Sequence, residues 1–395
     1  MLSELASHNE DLGRLLERGY ALKLDSNYLV VRDVPYLDHA RQLKIGALVT
    51  KLVFIDNVRI GPQENHEIFF AGSHPHNVDG TPIPNMGGGA RSLSLKDSSI
   101  AVERSFSNKP RNSAALENFP NLFEKIESYV TIISGPAQSL HGVTPLTRRI
   151  DESEMADSVF KFHDTLTSRA EIGDLAQKFK DEVIAIIGLG GTGAYLLDFM
   201  VKTPVREIRG FDHDTFYIHN AYRSPGRLTA EELGQRKATV YNGRYDNFRS
   251  GLVVERRFID ASSEAEVGGV TFAFVSVDKG SSRAGIFDLL IAKQIPFIDV
   301  GMGLDRKPGP LSGMMRVTYY PRDTGALIRD KNLAEMVDDP EDIYRTNVQI
   351  AELNALNAAL AIVKYKQIRG FYHDDGSWDH LLLGVDDLHL VGQSW

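Results

Sequence analysis

Four glycines with the spacing GxGGxG stand where an apolar, strand-like segment ends and a helical pattern begins. They are Gly188, Gly190, Gly191 and Gly193. Glycines at these positions let the backbone N–H groups of a helix start approach a phosphate closely. Asp212 follows Gly193 by 19 residues, at the end of the next predicted strand, where a carboxylate can bind ribose hydroxyls. An NAD(P)-dependent oxidoreductase would show both features, so they predict a nucleotide site without identifying the nucleotide.

Charged and amide side chains form a second pattern after the glycines. They are Asp212, Asp214, Asn220, Arg223, Lys237, Asp278 and Arg283. A dinucleotide dehydrogenase has no need of a Lys, an Arg and an additional strand-end Asp around its phosphates. A triphosphate needs cations along its outer phosphates, and Mg²⁺ needs a hard oxygen ligand. The second pattern therefore favours ATP with Mg²⁺ over NAD(P).

The combined pattern resembles the ThiF/MoeB/E1 superfamily. The family pattern is GxGGxG, then DxD, an Asn, xxR, a Lys on a helix, and an Asp with an Arg five residues later. The resemblance implies that Asp212 holds the ribose and that Asp278 holds Mg²⁺. It also implies that Lys237 and Arg223 meet the phosphates and that Asn220 positions them.

The resemblance covers roughly residues 160–395 and implies an activity and partners. Family members adenylate the C-terminal glycine of ubiquitin-like proteins, and they are dimers or pseudo-dimers. An upstream Arg contributes to their nucleotide site, and Arg169 matches it best; Asp214 and Arg283 complete the expected cofactor-binding set. We therefore expect a homodimer that activates a ubiquitin-like protein, with an E2-like protein as a further partner. A non-catalytic E1-like scaffold that binds nucleotide without turnover is an alternative.

Several departures from the family pattern bear on the chemistry. Ser224 stands where the family often has Gln, and Lys279 stands where it usually has Asn. The chain has no Cys, which excludes paired CxxC zinc motifs and a thioester on this chain. We expect the adenylate to pass directly to a nucleophile of a partner protein. The alternatives are an oxyester on this chain, with Thr324 as the candidate hydroxyl, and a natural Cys that was removed by mutation.

Length and charge restrict the class of protein. A chain of 395 residues predicts two to three domains. The net charge of -9 argues against a nucleic-acid binder that works by bulk charge. The chain lacks an apolar run of about 18 residues, and its N-terminal segment lacks the apolar core of a signal peptide. We therefore expect a cytoplasmic protein that engages neither nucleic acid nor a membrane.

Two regions differ in their predicted secondary structure. Residues 1–150 are interpreted as a smaller α+β domain, with a helix over Leu116–Ile133, and residues 150–157 as an acidic linker. From 155 to 395 strands alternate with helices, which predicts a doubly wound, Rossmann-like parallel sheet. One of its predicted helices is Thr229–Tyr245, with Thr229 as N-cap and Glu232 as the capping-box partner.

The resemblance does not extend to residues 1–150. Bacterial E1-like proteins from conjugation operons often carry additional domains, so we expect a partner-recognition role for this region. His74 and His76 lie there in a loop rich in Gly and Pro. Without Cys or a clear array of His and carboxylate residues, we interpret them as hydrogen-bonding loop residues rather than metal ligands.

Overall fold

The computed structural model describes most of the chain. The described residues are 2–56, 59–86, 88–89, 93, 95–97, 99–109, 118–150, 158–162, 164–170, 172–305, 309–338, 348–376 and 378–395. The chain divides into two compact units, Met1–Gly173 and Asp174–Trp395, and each unit has its own β-sheet. Residues 151–157 of the predicted linker lie outside the described residues.

An antiparallel five-stranded sheet forms the first unit. Its strands are β1 (Leu22–Asp25), β2 (Tyr28–Leu37), β3 (Leu43–Lys51), β4 (Glu67–Ala71) and β5 (Arg104–Ser107). They pair in sequence order, as is usual for consecutive strands of an antiparallel sheet. Ile68 and Phe70 of β4 are fully buried in the larger core cluster on one face of the sheet, and Phe69 packs against a smaller cluster on the other face.

Four described helices belong to the first unit. They are α1 (Leu2–Ser7), α2 (Glu10–Arg18), α3 (Leu122–His141) and α4 (Thr165–Arg169). Helix α3 packs on the sheet through Ile126, Tyr129 and Ile133. It does not end at Ile133 as predicted but continues through Pro136 to His141, where Gly142 ends it in a left-handed conformation and donates its N–H to the Gln138 carbonyl oxygen. The predicted start of this helix, at Leu116, lies outside the described residues.

The second unit contains an eight-stranded mixed sheet. Its strands are β6 (Val183–Ile187), β7 (Glu207–Phe211), β8 (Leu252–Glu255), β9 (Phe272–Val275), β10 (Phe297–Asp305), β11 (Ser312–Tyr320), β12 (His380–Gly384) and β13 (Leu390–Gln393). The spatial order is β13-β12-β11-β10-β9-β6-β7-β8. The strands from β10 to β8 in this order are parallel, whereas β11, β12 and β13 are antiparallel to their neighbours.

The antiparallel strands correct the prediction of a wholly parallel sheet. Strands β10 and β11 pair out to Asp305 and Ser312, so a short connection joins them. A parallel neighbour would require a crossover of about a dozen residues or more. The chain length between the two strands therefore forces the antiparallel pairing.

The next seven described α-helices begin at the boundary of the second unit, and several of them cover the two faces of its sheet. They are α5 (Gly173–Gln177), α6 (Gly191–Val201), α7 (Ile218–Ala221), α8 (Lys237–Tyr245), α9 (Gly280–Ala292), α10 (Gly325–Arg329) and α11 (Ala351–Ile368). The core residues of α6, α8 and α11 form one cluster with the sheet, and those of α9 and α10 form another. This two-sided cover confirms the doubly wound, Rossmann-like fold class, preceded by a smaller unit with an antiparallel sheet.

The predicted helix Thr229–Tyr245 is shorter in the structure. The backbone N–H of Thr229 donates to Glu232 Oε2 at 3.1 Å, so the capping box forms. It caps only a short 3₁₀ turn, and helix α8 begins at Lys237. Among the described helices, none combines the length and apolar composition that crossing a bilayer requires.

Candidate functional site

The glycine loop joins β6 to α6 at the carboxyl edge of the parallel strands. Gly188 has a φ of +90°, and a Cβ atom on it would lie 2.3 Å from the Ser276 carbonyl oxygen. A Cβ on Gly193 would lie 1.9 Å from the Gly188 carbonyl oxygen. Larger residues are therefore excluded at both positions. A Cβ on Gly190 would meet no atom within 4 Å, so this side of the loop is open to a ligand.

Asp212 directly follows β7 and is only 7% exposed. Its Oδ2 accepts the backbone N–H of Leu189 at 2.8 Å, and its Oδ1 accepts the N–H of Asp214 at 2.8 Å. The first bond ties the carboxylate to the glycine loop. The structure therefore brings together the loop and the acid that the sequence predicts for a ribose.

Lys237 is the first residue of α8 and is 4% exposed. Its Nζ lies 3.1 Å from Asp212 Oδ2 and 3.0 Å from Asp214 Oδ2. Burial alone would raise the pKa of Asp214, but the hydrogen bond and charge of Lys237, with smaller contributions from His213 and Lys279, lower it overall. In this structure one ammonium is shared by two carboxylates and compensates their charge only in part.

The acids and the intervening His213 are also close enough to suggest a metal site. One possible ligand atom from each of Asp212, His213 and Asp214 lies within 4.8 Å of the others. The Lys237 ammonium, however, already donates to an oxygen of each acid. A positive charge at these oxygens disfavours a second cation there, so the donor set fits a Lys–carboxylate cluster better than a metal.

Asn220 and Arg223 lie at the end of a tightly bonded turn. Asn220 is buried, and its Oδ1 accepts the N–H of Tyr217 at 2.8 Å. Its carbonyl oxygen accepts the N–H of Arg223 and, at 2.8 Å, the hydroxyl of Ser224. The side chain of Asn220 therefore positions the turn. Nε of Arg223 is buried and has no hydrogen-bond partner among the residues that the structure describes.

Asp278 is exposed and lies three residues after the end of β9 at Val275. Among the described residues, no hydrogen bond or ion pair of its carboxylate is found. The next residue, Lys279, is close enough for its charge to act on Asp214. An exposed carboxylate with no partner among the described residues is available to a ligand.

Arg283 has a different environment from the one expected of a nucleotide-binding residue. It is 6% exposed. Its Nε donates to Asp299 Oδ1 at 3.2 Å, and its terminal nitrogens donate to the carbonyl oxygens of Glu335 and Val277. The guanidinium therefore positions the segment that carries Asp278, and its three nitrogens all face protein acceptors.

The remaining predicted residues lie elsewhere. Arg169 ends α4 in the first unit, and its side chain lies outside the described residues. Thr324 precedes α10 and is exposed, and its carbonyl oxygen accepts the N–H of Leu327 at 3.0 Å. His76 Nδ1 lies 2.8 Å from the carbonyl oxygen of His74, a contact of the kind expected for hydrogen-bonding loop residues.

Helix α11 contributes an amide that supports the glycine loop. Asn354 is fully buried, and its Oδ1 accepts the Thr192 hydroxyl at 3.0 Å. Its Nδ2 donates to the carbonyl oxygen of Arg223 at 3.2 Å. This amide links α6, α11 and the turn of Arg223, and Gln349 lies beside it. The sequence contains one signal for Asn354, which is a polar residue within the alanine- and leucine-rich pattern of a helix. No sequence pattern indicated Gln349.

Comparison with solved structures finds partial likenesses. A crystal structure of PaaA has a TM-score of 0.44 and 16% identity over 58% of this chain and 70% of PaaA. E. coli MccB has a TM-score of 0.43 and 16% identity over 56% of this chain. The chain spans 64% of the length of MccB, which is less than two thirds. TcdA (CsdL) has a TM-score of 0.40 and 16% identity, over 52% of this chain and 92% of TcdA.

Sequence comparison gives the family. No curated protein matches this chain. A domain of unknown function, DUF6791, matches residues 10–165. The ThiF family matches residues 151–364, which is more than half of the chain and includes the glycine loop, Asp212, Lys237 and Asp278. The chain therefore belongs to the ThiF family.

Proposed function

We propose that the second unit is an E1-like adenylating enzyme that activates the C-terminal glycine carboxylate of a ubiquitin-like protein with ATP and Mg²⁺. The observation that carries this proposal is the Asp212 carboxylate, which is bonded to the glycine loop through Leu189 N–H and to Lys237. Family membership supplies the class of chemistry. The ubiquitin-like substrate rests on the resemblance of the site sequence to the ThiF/MoeB/E1 superfamily.

The residues present fit a nucleotide. The open side of Gly190 and the start of α6 offer backbone N–H groups and the positive end of a helix dipole to phosphates. Asp212 offers carboxylate oxygens to ribose hydroxyls. Arg223, with its unpaired Nε, supplies a cation to the outer phosphates. Lys237 would join it by exchanging its bond to Asp214 for a phosphate oxygen.

The residues present also fit a magnesium ion at one position. Asp278 is exposed and its carboxylate has no described partner, so a hard oxygen ligand is available there. When bound, Mg²⁺ would neutralise charge on the triphosphate and on the departing pyrophosphate. Arg283 holds the carbonyl oxygen of Val277, which fixes the residue that precedes Asp278.

The proposed step is an in-line displacement at the α-phosphorus of ATP. A carboxylate oxygen of the substrate forms a bond to the α-phosphorus while the bond from that phosphorus to the bridging α–β oxygen breaks. The products are an acyl-adenylate and pyrophosphate, and no protein nucleophile is required. The site contributes by holding the two reactants in line and by placing Arg223 and Lys237 near the developing negative charge.

Transfer from the adenylate requires a nucleophile, and this chain has no thiol to supply one. We therefore propose direct transfer to a partner, with an E2-like protein as the acceptor. We propose that residues 1–150 recognise that partner or the ubiquitin-like protein. By analogy with the family, we also propose that the protein is a homodimer. In this dimer Arg169 of one copy would contact the nucleotide bound to the other copy.

ATP–pyrophosphate exchange tests the proposed activity. The full-length protein should exchange labelled pyrophosphate into ATP only when a ubiquitin-like protein with a C-terminal glycine is present. The same substrate lacking that glycine is the matched control. ATP binding without exchange across a panel of such proteins would contradict the proposal and favour a non-catalytic scaffold. Binding of NAD(P) rather than ATP would favour an oxidoreductase.

A further inference from the structure

Strand β10 extends further than its neighbour β9. It pairs with β9 only over Phe297–Asp299, whereas its register with β11 continues without a shift to Asp305. Within the part of the chain that the structure describes, no strand pairs with the β9-facing edge of β10 beyond Asp299. We call the segment Gly301–Leu304 the free edge, because its outward backbone groups lack a strand partner there.

The alternation of the strand shows which backbone groups face outward. The carbonyl oxygen of Pro296 accepts the N–H of Ala273 at 3.1 Å, so the even-numbered residues that follow direct their N–H and C=O groups away from β11. In the free edge these residues are Met302 and Leu304. Outside the ladder with β11, no backbone hydrogen bond of either residue is found within the described ranges. An extended peptide can pair with both.

The free edge leads toward the candidate site. Strand β9 ends at Val275, opposite Asp299, and Asp278 follows three residues later. A strand added to the free edge therefore occupies the place that a longer β9 would take, and its inner end meets the segment that carries Asp278. A chain that enters beside Leu304 and ends beside Gly301 runs opposite to β10, so this added strand is antiparallel.

Two features beside the free edge suit a peptide main chain. A Cβ atom on Gly303 would meet no atom within 4 Å, so this part of the strand is open. Asn357 of α11 is fully buried, and its Nδ2 donates to the Gly301 carbonyl oxygen at 3.0 Å. Oδ1 of the same planar amide is buried and has no hydrogen-bond partner among the described residues. It is an acceptor, as the N–H of a peptide requires.

The charge beside Gly301 suits a chain that ends in a carboxylate. Arg283 Nε lies 3.2 Å from Asp299 Oδ1, and Arg316 donates to Asp299 Oδ2. One buried carboxylate therefore compensates two guanidinium groups only in part. A Cβ atom on Gly301 would lie 3.2 Å from Arg316 Nε, and no hydrogen bond of this Nε is found in the described chain. The uncompensated positive charge favours an anionic chain end at Gly301.

We propose that the C-terminal tail of the substrate protein binds as an additional antiparallel strand on the free edge, with its carboxylate end beside Gly301. The proposal rests on the adenylating activity proposed above and assigns a site to the acyl substrate. In the strand order β10-β9-β6-β7, the nucleotide is received at β6 and β7 and the tail at β10. Asp278, which follows β9, lies between the two reactants.

Tetraglycine and tetrasarcosine test main-chain pairing in the full-length protein. Both end in a carboxylate, but the amide nitrogens of tetrasarcosine are methylated and cannot donate. In an NMR titration of ¹⁵N-labelled protein, tetraglycine should shift the amide signals of Met302 and Leu304. Tetrasarcosine should bind at least about fivefold more weakly. Tetraglycine amide, which lacks the carboxylate, should also bind more weakly than tetraglycine, and Arg316→Met should remove that difference.

Leu304→Pro and Gly303→Ala form a matched pair of variants. Leu304→Pro removes an outward N–H, so tetraglycine affinity should fall about threefold to tenfold while ATP affinity stays unchanged. Gly303→Ala adds a Cβ atom in open space and should bind both ligands like the wild type. Wild-type tetraglycine affinity in a folded Leu304→Pro protein would overturn this inference. Equal affinity of the wild type for tetraglycine and tetrasarcosine would overturn it without any variant.

The same measurements distinguish this inference from the proposed activity. A protein that exchanges pyrophosphate with a ubiquitin-like substrate but does not bind tetraglycine would keep the activity and lose the free-edge site. Tetraglycine binding at Met302 and Leu304 without exchange for any substrate would show a peptide site on a protein that lacks the activity. The assignment of the substrate tail would then be wrong together with the proposed function.

Discussion

Lys237 Nζ lies 3.1 Å from Asp212 Oδ2, and both side chains are at most 6% exposed. Two opposite charges held out of water stabilise each other, and removal of either leaves the other poorly compensated. Asp214 shares the ammonium at 3.0 Å, but its side chain is 54% exposed. Because Asp212 also accepts an N–H of the glycine loop, this buried pair links the loop to α8.

Asp212→Ala is expected to lower both ATP affinity and stability. The change removes the proposed ribose ligand and the acceptor of two backbone N–H groups. We expect ATP affinity to fall at least ~10-fold and the free energy of unfolding to fall by about 3 kcal/mol. Calorimetry and thermal denaturation measure the two effects. Asp214→Ala is the control and should cost less stability, since its side chain is half exposed. A folded Asp212→Ala protein with unchanged ATP affinity would make the site assignment wrong.

Asp278→Asn should separate nucleotide binding from catalysis. The side chain is exposed and has no described partner, so the fold should tolerate the change. Losing the charged oxygen ligand should slow ATP–pyrophosphate exchange by roughly 10²-fold while ATP still binds. Asp375→Asn, another exposed acid of the second unit, serves as the control. Wild-type exchange in Asp278→Asn would remove this residue from the proposed metal site.

Lys125 predicts a pH dependence of stability in the first unit. It is 2% exposed, and Nζ donates to Thr50 Oγ1, Gln63 Oε1 and the Asn65 carbonyl oxygen, none of them charged. Burial lowers the pKa of Lys125 to about 8. The unfolded chain then binds more protons than the folded chain between pH 8 and the ordinary pKa of about 10.4.

The folded state should therefore gain stability as pH rises through that interval, by up to about 3 kcal/mol from this group. Below pH 8 the full destabilisation by the buried charge should be present. Lys125→Met should remove this component of the pH dependence. Calorimetric melting of both proteins from pH 7 to 10 measures it, and parallel curves would show that Lys125 does not titrate in this interval.

Direct transfer predicts that no covalent acyl adduct accumulates on this chain. Enzyme, ATP, Mg²⁺ and the ubiquitin-like protein should give only unmodified enzyme by intact-mass spectrometry, because there is no thiol to carry an ester. Thr324→Ala should behave like the wild type. An adduct that resists thiols, yields to hydroxylamine and disappears in Thr324→Ala would instead establish an oxyester.

The proposed dimer makes a complementation prediction for Arg169. If Arg169 acts on the nucleotide of the other copy, Arg169→Ala and Asp212→Ala proteins should each be inactive alone. Mixing them should restore roughly a quarter to a half of the wild-type exchange rate, because a mixed dimer retains one intact site. Sedimentation velocity would show whether the dimer forms. Activity of a stable monomer would be incompatible with this arrangement.

The sequence by itself determined the parts of the site that are local in the chain. The glycine spacing predicted a strand, a tight turn and a helix start, and all three are present because only glycine fits at Gly188 and Gly193. The Asp at the end of the next strand was predictable for the same reason, since parallel strands end at one edge of a sheet. Family membership followed from these motifs and was confirmed by the ThiF match.

Only the tertiary structure decided which polar groups are paired within the fold. Lys237 meets Asp212 across 25 residues, and Arg283 meets Asp299 across 16. Packing of α8 and α9 therefore pairs these two expected site cations with buried acids. Gln349 packs beside Gly191, although the two residues are far apart in the sequence. Such contacts depend on how distant elements pack, which no local pattern specifies. The antiparallel pairing of β10 with β11 likewise depends on the connection between them, which is too short for the crossover that a parallel pair needs.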